Sequence, residues 1–131
     1  MLLPVTLSTF AAAAILALWL GMRVGRVRAK EKIAHGDGGH ALLTRRMRAQ
    51  LNNVEYTPFV LLLIGAIELA GRGGAWLGWV AGAYIVVRVL HAFGMDQENA
   101  TNWLRGAGIG GTMLALLGLG IYAALVGVGV A

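Results

Sequence analysis

At 131 residues the chain has the length of a single domain, yet 58% of it is hydrophobic and only 13% charged, where soluble domains carry about 25% charge. With a mean hydropathy of +0.72, that balance excludes an ordinary water-soluble fold and points to a bilayer. The lack of cysteine excludes a disulfide framework and a protein thiol nucleophile, so thiol chemistry here needs a thiol carried by a ligand.

Four apolar segments predict an all-α fold: an integral membrane four-helix bundle forming one domain over residues 1–131, with spans at about 2–25, 45–70, 74–95 and 104–130. Each is close to the roughly 20 residues needed to cross the hydrocarbon core. The first span is uncharged up to Arg23, and its basic residues follow the apolar run, the reverse of a secretory leader. Arg23, Arg26, Arg28, Lys30, Lys32, Arg45, Arg46 and Arg48 are eight of the eleven basic residues, and all fall in or beside the first linker. A basic cluster against apolar segments reads as a cytoplasmic face on anionic lipid, and it lacks the interleaved aromatics of a nucleic-acid site. The glycine-rich "HGDGGHA" at residues 35–41 marks a turn within that linker.

The second span opens "RAQLNNVEY" and places polar groups where a membrane helix has few. Steps of four, three and four residues put Arg48, Asn52, Glu55 and Phe59 on one helical face, with Tyr56 beside them. Glu55 lies two turns deeper than Arg48, roughly 10 Å along the axis. An unpaired charge at that depth costs about 2.5–3.5 kcal/mol, so Glu55 requires a partner. Two readings follow: the stripe holds a ligand, or Glu55 pairs with a cation such as Arg88 as structural support. Glu68 falls on another face near the outer end and reads as an interfacial anchor.

In the third span Arg88 and His91 stand three residues apart, with Met95 one turn on. His91 is equally readable as a hydrogen-bonded packing residue and as a ligand contact. The three histidines, at 35, 40 and 91, have no metal-ligand spacing, and no metal is expected. Arg105 opens the fourth span, where a cation opposes the helix macrodipole, so local electrostatics do not account for it. Gly74, Gly78 and Gly82, and Gly106 and Gly110, recur at four-residue spacing, which suits close helix packing within a bundle or between protomers.

The second linker holds only Arg72, whereas the first is strongly basic. The positive-inside rule therefore predicts both termini outside, with the polar ends of spans two and three on the cytoplasmic side. Several arginines (48, 88, 105 and one or more of 23 and 26) converge there with one glutamate and several amides. Arginine grips carboxylates and a glutamate grips an ammonium, so the set suits a small molecule with two anionic groups and one amine. Glutathione has that inventory; an anionic lipid headgroup would satisfy the arginines alone.

"RAQLNNVEYTPFVLLL" strongly resembles the signature of the membrane-associated proteins in eicosanoid and glutathione metabolism, among them microsomal glutathione transferases, leukotriene-C synthase and microsomal prostaglandin-E synthase. Arg48, Ala49, Gln50, Asn52, Glu55 and Pro58 carry the likeness, supported by "RVLHAFG" in the third span and by Arg105. The compact chain resembles bacterial members, which implies a bacterial inner membrane. The resemblance further implies a homotrimer whose sites lie between protomers, and glutathione as co-substrate. Arg48, Asn52, Glu55, Tyr56, Arg88 and His91 would bind it from one protomer, with Arg23 or Arg26 and Gln50 from the neighbour. Arg105 matches the arginine that stabilises the thiolate in catalytic relatives. Where relatives place a second tyrosine, this chain has Met95, so one hydroxyl contact is missing.

The resulting expectation is a glutathione-dependent membrane transferase or peroxidase. It would activate a thiol against lipophilic electrophiles or lipid hydroperoxides reaching it from the surrounding membrane lipids, with no nucleic-acid partner. The family also includes a non-enzymatic lipid presenter, so a lipid-binding or scaffold protein of the same fold is the alternative. A transporter is disfavoured by the lack of an internal repeat.

Overall fold

The structure, a computed structural model, describes residues 2–131. It consists of four helices, α1 (Pro4–Glu31), α2 (Ala41–Leu69), α3 (Ala75–Asp96) and α4 (Trp103–Gly127). At 22 to 29 residues they are about 33 to 43 Å long, more than the hydrocarbon thickness. Three of them, α1, α3 and α4, are long and apolar enough to cross a membrane. Helix α2 has the length, but Arg45, Arg46, Arg48, Asn52, Asn53, Glu55 and Glu68 interrupt its apolar character. Exposed Trp76 and Trp79 near one end of the bundle and Trp103 near the other suit the two membrane–water interfaces.

Local chemistry sets the helix ends. Pro4 occupies the first turn of α1, where its missing N–H costs nothing, but Leu3 offers no side-chain cap. The Glu68 carboxylate takes that role from the end of α2. It accepts the Val5 N–H at 3.0 Å, the Thr6 N–H at 2.7 Å and the Thr6 hydroxyl at 2.6 Å. The interfacial anchor of the sequence is thus a cap for another helix's orphan amides. His40 caps α2 by accepting the Leu43 N–H on Nδ1 at 3.2 Å, and Asn102 caps α4 by accepting the Arg105 N–H at 2.9 Å. In the turn before α2, the backbone N–H of Gly39 and the hydroxyl of Thr44 hold the Asp37 carboxyl below the usual carboxylate range.

The basic residues of the first linker are mostly helical. Arg26, Arg28 and Lys30 belong to α1 and Arg45, Arg46 and Arg48 to α2, leaving residues 32–40 as the connection. Straight-chain lysine, arginine and glutamate are good helix formers, so both helices continue beyond the apolar part.

Helices α2 and α3 form a shared diagonal. Among the described residues, α1 packs on α2 and α3, α4 packs on the same two, and α1 and α4 do not touch. The largest apolar cluster lies at the end of the bundle away from the basic residues, built from Val60, Ile64, Ile67, Leu77, Ala81, Tyr84 and Leu119, and a smaller one of Val24, Val27 and Leu43 lies at the basic end. The α3–α4 seam is closest at glycines. A Cβ on Gly108 would overlap His91, one on Gly94 would overlap the Arg105 backbone, and one on Gly111 would come within 2.9 Å of Val87. The periodic Gly82, Gly106 and Gly110 instead face open space, and Gly78 reaches Val5 only at 4.0 Å. Within the protomer, those periodic positions do not form the tight seam.

Candidate functional site

Helix α2 carries two polar faces, offset by one residue. Asn53 and Thr57 point into the bundle and are buried, whereas Arg48, Glu55 and Phe59 on the neighbouring face are exposed, Phe59 to 62%. The stripe therefore borders the surface of the protomer.

A cleft of about 120 Å³ opens between α2, α3 and α4 at this stripe. Its polar walls are Arg48, Asn52 and Glu55 from α2, His91 from α3 and Arg105 from α4, with Leu51, Met95 and Ile109 completing it. Five residues singled out in the sequence thus share one cleft although up to 57 positions separate them. The α3–α4 glycine seam brings His91 and Arg105 onto that wall. The Asn52 Oδ1 is buried without a hydrogen-bond partner, which leaves an acceptor ready for an N–H donor. Arg105 gives one guanidinium N–H to the Ala100 carbonyl at 3.0 Å, and no carboxylate pairs with it among the described residues.

Two grooves join this cleft through shared residues. Arg48 also lines a groove of about 510 Å³ on the α1–α2 side, together with Arg28, Gln50, Met47 and Val54. Glu55 also lines an apolar groove of about 510 Å³ with Tyr56, Phe59, Leu62, Leu63 and Leu116. Gln50 and Tyr56 therefore flank the cleft on opposite sides.

The remaining sequence candidates lie elsewhere. Arg23 is buried against α3, where it forms an ion pair with Asp96 and stacks on Trp19 and Phe93 with its guanidinium 4.6 and 5.5 Å from the ring centroids. Asp96 also accepts from Arg46 at 3.2 Å, so one carboxylate ties α1, α2 and α3 together. Arg26 is exposed. Arg88 does not line the cleft and does not pair with Glu55. It is 2% exposed, and it donates from Nε to the Asn53 Oδ1 at 3.3 Å and from Nη1 to the Thr112 hydroxyl at 3.2 Å. The structural pairing of Glu55 with Arg88 is thus not formed.

Sequence reading missed the partners of Arg88. Thr57 donates to the Asn53 Oδ1 at 2.9 Å and shares a 2.8 Å hydrogen bond with the Tyr84 hydroxyl, while Thr112 donates to the Gly108 carbonyl at 2.8 Å. The available signal was the α3 spacing Tyr84, Arg88, His91, Met95, which repeats the helical period of the α2 stripe. These groups form a polar column leading inward from the cleft and ending at Tyr84, against the apolar core.

Chemically, the cleft offers two exposed or half-exposed guanidiniums, one carboxylate, one imidazole and a free amide oxygen, next to an apolar groove. No group of three or more potential metal ligands occurs among the described residues. The model of the family described as "MAPEG family" matches residues 6–125. The chain is also similar to the inner membrane protein YecN of Escherichia coli strain K12, 30% identical over 106 residues that cover 80% of this chain and 79% of that protein. The YecN of strain O6:H1 matches to the same extent.

Proposed function

The chain belongs to the MAPEG family, and from that premise we propose that it is a glutathione-dependent transferase or peroxidase of the bacterial inner membrane, with Arg105 as the thiolate-stabilising residue. The observation that carries this reading is the cleft in which Arg48, Asn52, Glu55, His91 and Arg105 meet beside an apolar groove. Arg48 suits a ligand carboxylate, Glu55 its ammonium, and the unpartnered Asn52 Oδ1 a peptide N–H. Arg105 has guanidinium donors left for a sulfur anion at the positive end of α4. A thiol is mostly protonated at neutral pH, and only its thiolate is strongly nucleophilic. The guanidinium favours the anion, and the displaced proton leaves to water through the open cleft. As a transferase, the thiolate attacks an electrophilic carbon, and the bond to the leaving group breaks with its electron pair, or the π pair of an activated double bond shifts and is protonated by water. As a peroxidase, it attacks the outer oxygen of a lipid hydroperoxide, the O–O bond breaks, the alkoxide takes a proton to become the alcohol, and a second glutathione converts the sulfenic acid to disulfide and water.

The groove lined by Phe59, Leu62, Leu63 and Leu116 suits the apolar part of an acceptor arriving from the bilayer. At about 120 Å³ the cleft is the smallest of these spaces, which suits a homotrimer in which a neighbour completes it with Gln50 and an arginine. Arg23 is held by Asp96, so Arg26 is the better placed of the two arginines. The family relation and the basic ends of α1 and α2 support termini outside and the cleft at the cytoplasmic side.

Titrating glutathione into the purified protein, with ultraviolet absorbance reporting thiolate and calorimetry reporting binding, tests the reading. Bound thiolate at neutral pH is expected, as is its loss in Arg105→Ala with the oligomer intact. Absence of both thiolate and heat of binding would refute the glutathione assignment. Retention of an anionic lipid in the same preparation would then favour a lipid-binding protein.

A further inference from the structure

Arg88 is a full cation inside the bundle, and its hydrogen-bond partners, Asn53 and Thr112, are both neutral. No carboxylate lies within ion-pairing distance of it among the described residues. A buried charge without a counter-ion is expensive, and in a membrane bundle it marks function more often than packing. Arg23 is the contrasting case, a buried arginine whose charge is neutralised by Asp96, the carboxylate that also binds the half-buried Arg46.

The charges around Arg88 come from every packed element. Helix α1 offers only Arg23, already paired with Asp96 of α3. Helix α2 contributes Arg48, Glu55 and the phenol of Tyr56. Helix α3 adds His91 and Tyr84, and α4 adds Arg105. Arg88 lies three residues below His91, about 4.5 Å along the axis, so it stands directly behind the cleft wall. The cleft region therefore holds three guanidiniums against one carboxylate, and the third is shielded from the water that screens the other two.

We propose that Arg88 is a positioning residue whose unneutralised charge, acting through the His91 wall, sets the positive potential at the ligand sulfur and so completes thiol activation by Arg105. This rests on the thiol-activating reading above and adds a residue that does not touch the ligand. Asn53 has a stated part in it: as a neutral acceptor it orients the guanidinium without cancelling its charge. An aspartate at 53 would supply the same oxygens to Arg88 and Thr57 but would neutralise the cation.

The pH dependence of bound-thiolate absorbance in nanodiscs tests this. Asn53→Asp keeps both acceptor contacts and is expected to move the thiolate midpoint about one pH unit alkaline, as is Arg88→Met. Arg88→Lys retains the charge and Thr112→Val removes only a neutral contact, so both should keep the wild-type midpoint. An unchanged midpoint in Asn53→Asp overturns the proposal even if Arg88→Met fails to fold. A shift in Thr112→Val as large as that in Asn53→Asp would show a packing effect and overturn it too. Thiolate in the wild type with no shift in either charge variant sinks this inference alone; absence of thiolate in the wild type sinks the functional reading beneath it.

Discussion

At position 108 a single methyl group would occupy space already taken by His91 and by the carbonyl of Val87. Gly108→Ala is therefore expected to push α3 from α4, destabilising the protein by about 1–3 kcal/mol, the usual cost of overpacking. Gly110→Ala, with no neighbouring atom within 4 Å, should leave the protomer's stability unchanged. Thermal unfolding in detergent compares the two, and equal melting temperatures would contradict the close-seam account. Because His91 and Arg105 reach the cleft across that seam, Gly108→Ala should also weaken glutathione binding. The cleft residues were legible in the sequence because "RAQLNNVEY" sets them at helical spacing in an apolar context. Asn53 was not separable from Asn52 by that means: one residue of offset, about 100° on a helix, sends one side chain into the bundle and the other to the cleft. Thr112 sits in the uncharged interior of its span, two turns beyond Arg105, and only contact with Arg88 reveals its role.

Helix ends show the same division. The histidine and asparagine caps of α2 and α4 are local, three residues from the amides they serve, and such caps can be read along the chain. The α1 cap is Glu68, more than sixty positions away, and no local pattern announces it. Glu68→Ala is expected to accelerate hydrogen exchange at the Val5 and Thr6 amides while leaving the Leu43 and Arg105 amides protected. Uniform acceleration across all four would mean that Glu68 supports the whole bundle and not one helix end. Similarly, no pattern along the chain gives Asp96 a partner, but as the last residue of α3 it fixes Arg23 and Arg46. Four helices were evident from hydropathy; which helices touch was not, since apolar composition gives length and leaves pairing undetermined.

On the scale of the whole molecule, α1 and α4 stay apart on opposite sides of the α2–α3 diagonal, and the cleft sits at the protomer's surface. Large apolar side chains such as Leu62, Leu114 and Leu117 are exposed along the bundle, which suits a lipid environment. Native mass spectrometry from nanodiscs is expected to give a complex of three 13.8 kDa chains. A monomer that still binds glutathione would show that the cleft is complete within one chain.

The polar column ends halfway. From Met95 to Tyr84 it covers about 16 Å of helix axis, and beyond Tyr84 the interior is closed by Val60, Ile64, Ile67, Leu77 and Leu119. A membrane potential falls mainly across the part of a protein that water and mobile ions cannot enter, at about 2.3 kcal/mol per charge per 100 mV. Here that part begins behind the cleft wall, at the buried Arg88, and runs through the apolar half. Under the proposed function, a charged ligand held in the open cleft would cross little of the voltage, and its occupancy would be insulated from the energised state of the membrane around it.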